Sequence, residues 1–156
     1  MKKALLAALA AAALWAAAPN PVAWKLEGAP AKPVKRGARF SIKLSGTIEA
    51  GWHLYSTKRL TDGPIATRIW IPEGQILRTA GPVQSPSPRT TQDPNFGMEV
   101  EYYEGSAVFT LPVQVSGEAP AGAGKAQVSA SYQTCNDKVC LPPKTIIAEA
   151  PIQVTN

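Results

Sequence analysis

Phe40-Ser41-Ile42-Lys43-Leu44-Ser45-Gly46-Thr47-Ile48 sets an apolar side chain at alternate positions, with Ser, Lys and Thr between them. Period two marks a strand with one buried face, because successive side chains of an extended chain point to opposite sides. The same alternation recurs outward in both directions. Upstream lie Val22, Trp24 and Leu26; downstream come Trp52 and Leu54, then Ile65 to Ile71 with Ile69 and Ile71 on one face. Met98 to Tyr103 runs into the turn signal Glu104-Gly105, and Val108 to Val115 follows. Ala126, Val128, Ala130 and Tyr132 share a face, and Ile146 to Ala148 and Ile152 to Val154 close the chain. That makes about eight or nine short strands at the even spacing of an all-β sandwich or barrel. The 15 prolines and 12 glycines leave little room for long helices. Gly81 to Gly97 carries Pro82, Pro86, Pro88 and Pro94 and is expected to be a surface loop, long enough to suggest a function. Gly117 to Gly124 reads as a plain connector.

The 156 residues, 45% of them hydrophobic, suit a single domain. Lys2-Lys3 followed by the Ala/Leu run Ala4 to Ala18 has the charge and length of a secretory leader, too short for a comfortable span. We therefore expect a leader over residues 1–23, cut somewhere from 18 to 23, and one exported, periplasmic domain over 24–156 with no membrane span after leader removal. No Cys lies near the cut to carry a lipid. Without Lys2 and Lys3 the chain has 14 basic against 11 acidic residues, a net of +3 without basic clusters. Nucleic-acid binding needs a concentrated basic stripe and is excluded on that ground. The sequence contains no phosphate-binding loop, dinucleotide fingerprint, HExxH or EF-hand pattern. Its single histidine, His53, has no activated-serine motif to serve.

Chemistry concentrates in Tyr132-Gln133-Thr134-Cys135-Asn136-Asp137-Lys138-Val139-Cys140-Leu141-Pro142-Pro143, which holds both cysteines. An oxidising compartment permits a disulfide between them. Such a bridge closes a ring of about six residues, worth roughly 2 kcal/mol in the chain-entropy account. Sandwich domains that rely on a disulfide for stability join distant strands across the core instead. A short ring is also the easier one to reduce. The residues alone leave a structural staple and an exchange centre both open. Zinc does not fit, since two thiolates and one distant histidine fall short of a closed site. Copper(I), held by the thiolates with Met98 or His53, is the remaining metal reading, though no Met-rich or His-rich tract supports it. The spacing is not the Cys-x-x-Cys of thioredoxins, and no βαβ pattern surrounds it.

Tyr132-Gln133-x-Cys135 with Cys140-x-Pro142-Pro143 resembles the active-site hairpin of the N-terminal periplasmic domain of the thiol:disulfide interchange family DsbD. Gly51-Trp52-His53-Leu54-Tyr55-Ser56 is similar to that family's early Gly-x-x-Leu-Tyr strand, and Thr110-Leu111-Pro112-Val113 to its strand before the active site. The likeness runs from about Lys35 to Pro143. It implies an immunoglobulin-like sandwich whose Cys135 and Cys140 form a catalytic disulfide that shuttles electrons without a small cofactor or metal. Implied partners are thioredoxin-like periplasmic proteins, among them disulfide isomerases and cytochrome c maturation thioredoxins. The implied donor is a membrane protein on a separate chain, because the sequence ends at Asn156 without the family's further domains. The resemblance puts a shielding cap at Asp93-Pro94-Asn95-Phe96-Gly97, with Phe96 as the ring over the sulfurs. It also implies that His53 and Tyr55 line the site. Pro94 stands where the family has a second acidic residue, and some members carry one more residue between the cysteines. Lys138 between the cysteines favours a thiolate, Asp137 opposes it, and both suit a solvated turn. Tyr102, Tyr103 and Tyr132 are candidates for a docking face, with core packing an equal claim on at least one. Two other readings stand beside exchange: an immunoglobulin-like interaction domain with a structural disulfide, and a periplasmic copper carrier.

Overall fold

The alternating segments fold as strands, and each turns its apolar side to a common interior. A computed structural model describes residues 19–156, so the expected leader up to Ala18 lies outside the described residues. Within them the strands are β1 (Val22–Glu27), β2 (Val34–Lys35), β3 (Arg39–Ile48), β4 (His53–Tyr55), β5 (Arg68–Trp70) and β6 (Leu77–Thr79). They continue as β7 (Arg89–Asp93), β8 (Met98–Tyr103), β9 (Ser106–Val115), β10 (Gly122–Tyr132), β11 (Thr134–Cys135) and β12 (Lys144–Thr155). No helix occurs among the described residues.

Three sheets result, ordered β1-β3-β9-β6, β2-β12-β10-β5 and β11-β4-β8-β7. All pairings are antiparallel except the short one between β2 and β12. The first two sheets form the layers of a sandwich. Ile42, Leu44 and Ile48 of β3 meet Phe109, Leu111 and Val113 of β9 and Val128, Ala130, Ile152 and Val154 of the second layer in one buried cluster. Trp24 lies over Gly46, where an added Cβ would come within 3.0 Å of the indole ring. Only glycine lets the ring sit this close to β3.

Where the strands differ from expectation, proline explains most of it. Of Ile65 to Ile71, only Arg68–Trp70 pairs, because Pro64 and Pro72 flank it, and Ile65 is 48% exposed. The two expected C-terminal strands are one, β12, running through Pro151. β2 covers only Val154 and Thr155, so β12 has an open side at Pro151 where a missing N–H costs no ladder bond. The expected loop Gly81 to Gly97 is partly strand. Gln84 bridges Thr110, and β7 forms a hairpin with β8. Its prolines stand before Arg89 and after Asp93, bracketing β7 rather than interrupting it. The connector after Gly117 is shorter than expected, since β10 already begins at Gly122. β2, β6 and β11 are too short to leave a periodic signal.

The third sheet caps one end of the sandwich. β10 passes into β11 at Gln133, which carries the chain from the second layer into the third sheet beside β4.

Candidate functional site

The tip of that third sheet gathers the residues picked from sequence. Cys135 ends β11 opposite His53, and Cys140 returns antiparallel to Cys135, to which it is disulfide-bonded with Cα atoms 4.1 Å apart. Asn136 makes the tight return. Its side-chain Oδ1 accepts from the Lys138 and Val139 amides, both at 2.9 Å, and its own amide donates to the Val139 carbonyl at 2.9 Å. This is the local turn that an Asx residue favours. Lys138 and Asp137 project into solvent from it.

The two sulfurs have unequal surroundings. Cys135 is wholly buried, whereas Cys140 is half-buried. Cys135 packs with Tyr55 and Val100 in a small cluster, walled by Leu60, Phe96, Met98, Tyr102 and Cys140. The Phe96 ring stands edge-on to Tyr55, centroids 5.9 Å apart. His53 meets Tyr55 and Tyr102 the same way, at 5.0 and 5.4 Å.

Asp93 organises this end. It is 1% exposed, and its Oδ2 accepts a 2.6 Å hydrogen bond from the Tyr55 hydroxyl. Its Oδ1 accepts from the amides of Asn95 at 2.7 Å and Phe96 at 3.3 Å, and Gly97 donates to its carbonyl at 2.8 Å. Gly97 has φ of 65°, a left-handed conformation that lets the turn close into β8. The Asn95 side-chain Nδ2 donates to the Asn136 carbonyl at 3.1 Å, tying this turn to the cysteine hairpin.

His53 Nε2 lies 3.2 Å from the Tyr55 hydroxyl oxygen and 3.5 Å from Asp93 Oδ2. Burial pulls the His53 pKa below its ordinary value, and Asp93, Glu104 and Asp137 only partly offset it. Burial thus favours the neutral ring, whose contact with Asp93 is dipolar. Burial, reinforced by the bond to Asp93, drives the Tyr55 phenol far above its ordinary value. Tyr55 is therefore a neutral donor throughout the physiological range.

His53, Tyr55, Asp93, Phe96, Cys135 and Cys140 thus come together, with Gly97 shaping the turn behind Phe96. Of the three candidate docking tyrosines, Tyr103 and Tyr132 are core residues and only Tyr102 is half-exposed. Sequence reasoning missed Asn95, Asn136 and Gln133 as organisers. The two asparagines carried a signal, since each stands at a turn where a side-chain amide can replace a backbone partner.

Among solved structures, the reduced N-terminal domain of DsbD from Neisseria meningitidis is similar. It shares 18% identity over 85% of each chain, with a TM-score of 0.51. That likeness is one of fold, an immunoglobulin-like β-sandwich. Weaker matches are the major pilin subunit BcpA of Bacillus cereus, at 12% identity over 85% of this chain and 39% of that one, TM-score 0.34. A chain from the aggregative adherence fimbriae of enteroaggregative Escherichia coli gives 16%, 87%, 100% and 0.32 for the same measures. No curated protein matches. The sequence matches the family described as thiol:disulfide interchange protein DsbD, N-terminal, over residues 25–151, and the chain belongs to that family.

Proposed function

We propose that the protein exchanges its Cys135–Cys140 disulfide with thioredoxin-like partners, passing electrons between them in the periplasm. The observation that carries this is the asymmetry of the two sulfurs. Cys140 is half-exposed, and beyond Leu141 the chain runs into Pro142 and Pro143, which offer no N–H for pairing, while Cys135 is buried in the cluster that Phe96 packs against. An incoming thiolate attacks Cys140 Sγ, the S–S bond breaks, and Cys135 leaves as a thiolate that takes a proton. The donor's second thiolate then attacks its own sulfur in the mixed disulfide and releases Cys140. Two electrons and two protons move per cycle, and the reverse sequence reduces the next partner.

Membership of a family of thiol–disulfide exchange modules supports this reading. Asp93 and Phe96 act in it as the shield, and His53 and Tyr55 as the polar lining that holds the shield down. Export requires the leader to be cut. Val22 is 1% exposed in β1 and pairs with Ile48, which favours a cut near residue 18 over one at 23.

Cys135→Ser is expected to accumulate a covalent adduct at Cys140 with a thioredoxin-like protein lacking its own resolving cysteine, and Cys140→Ser to give little. The reverse pattern on non-reducing gels overturns the assignment. A midpoint potential well below about −300 mV would mark the bond as structural.

A further inference from the structure

Gln133 joins three segments around the cysteine hairpin. Its backbone carbonyl accepts from the Tyr55 amide at 3.5 Å. Its side-chain Oε1 accepts from the Ile65 amide at 2.9 Å, and its Nε2 donates to the Leu141 carbonyl at 3.3 Å. Leu141 is the residue directly after Cys140. Beyond it come Pro142 and Pro143, neither of which can donate to a neighbouring strand. The peptide leaving Cys140 is therefore held by the Leu141 amide donating to the Thr134 carbonyl at 2.9 Å, by Gln133, and by the disulfide itself. When the S–S bond opens, two hydrogen bonds and the Asn136 turn remain.

We propose that Gln133 is a positioning residue for Cys140. Its amide takes the place of the ladder bonds that the two prolines cannot make, and so keeps the Cys140 sulfur facing Cys135 after reduction. The proposal rests on the exchange reading above. Holding the two thiols together raises their effective concentration and favours the disulfide over the dithiol. Without the clamp, reduction frees Cys140 further from Cys135 and the dithiol gains.

The test is the equilibrium with dithiothreitol: protein disulfide plus reduced dithiothreitol giving protein dithiol plus oxidised dithiothreitol, two electrons and two protons moving together. Gln133→Met, similar in volume without either polar contact, is expected to shift this equilibrium roughly two- to tenfold towards the dithiol, the range of one net hydrogen bond. At the tenfold end that is about 30 mV. Gln133→Glu keeps the acceptor for the Ile65 amide but loses the donor to Leu141, and is expected to shift the same way. Unfolding curves of the oxidised variants check that the sandwich is intact. A wild-type equilibrium for Gln133→Glu would confine Gln133 to holding the 56–67 loop, and one for Gln133→Met would remove it altogether; either overturns the proposal. Should Gln133→Met not fold, Gln133→Glu decides alone. If the wild-type protein itself resists reduction by dithiothreitol, the exchange reading fails first.

Discussion

In the sandwich core, the buried side chains of β3 and β9 are all apolar, and the charges and hydroxyls of those strands face outward or lie part-exposed. At the disulfide end, Asp93 is buried, bonded to Tyr55 and beside His53, and Tyr55 in turn packs with Cys135 and with a phenylalanine contributed by a turn. The first region is stabilised by area removed from water, a term that is non-directional and tolerant of detail. The second depends on each polar group meeting its partner, because an orphaned buried carboxylate or hydroxyl is costly. If the proposed cap controls access at the disulfide end, energy in one place and access in the other are separable, and substitutions can show it.

The largest effect is expected in the core. Phe109 has no exposed surface and packs against Trp24 and Tyr103, with ring centroids 6.2 and 5.7 Å away. Phe109→Ala should cost about 3–5 kcal/mol, read from the urea midpoint at constant slope. The midpoint potential of the cysteine pair, measured on folded protein, should not move. A potential that follows stability would break the separation.

A middle-sized effect belongs to the cap. Asp93→Ala takes the acceptor from two turn amides and leaves the Tyr55 hydroxyl only His53 Nε2, 3.2 Å away, at a cost of about 1–3 kcal/mol, and should speed alkylation of the reduced thiols. Phe96 is half-buried in the turn, so Phe96→Ala should cost less stability than Asp93→Ala yet speed alkylation as well. Alkylation as slow as wild type in both variants would remove the cap from the account.

The same contrast decided what could be read from sequence. Alternation is a repeated signal, and β1, β3, β9 and β10 stood out because every second residue serves one face. The Cys pair was visible by composition; His53 and Tyr55 share a strand face by their two-residue spacing, but only the family resemblance marked them as lining the site. The burial of Asp93 was not visible, because nothing local distinguishes it from a surface turn aspartate. Its partner Tyr55 is 38 residues away in sequence. β7 was hidden for a related reason: Arg89 to Gln92 are exposed on both faces of the strand, so it shows no apolar period. Gln133 likewise acts on Ile65 and Leu141 through contacts that exist only once the third sheet has formed.

The smallest effect asks which rule governs His53. If burial dominates, as in the core, the folded ring resists protonation while the unfolded one takes its proton near pH 6.5. Between pH 6.5 and the lower folded value, the unfolded state then holds more protons, so stability falls as the pH drops; above 6.5 this group adds no slope. The carboxylates of Asp93, Glu104 and Asp137 pull the other way and make the slope shallow. His53→Gln deletes this titration and leaves the carboxylates in place. The stability difference between wild type and His53→Gln should therefore narrow as pH is lowered from 7.5 to 5.5. A difference that widens on acidification would mean that the ring gains its proton on folding. Charge pairing with Asp93 would then outweigh burial, and the disulfide end would hold an ion pair in place of a neutral polar cluster.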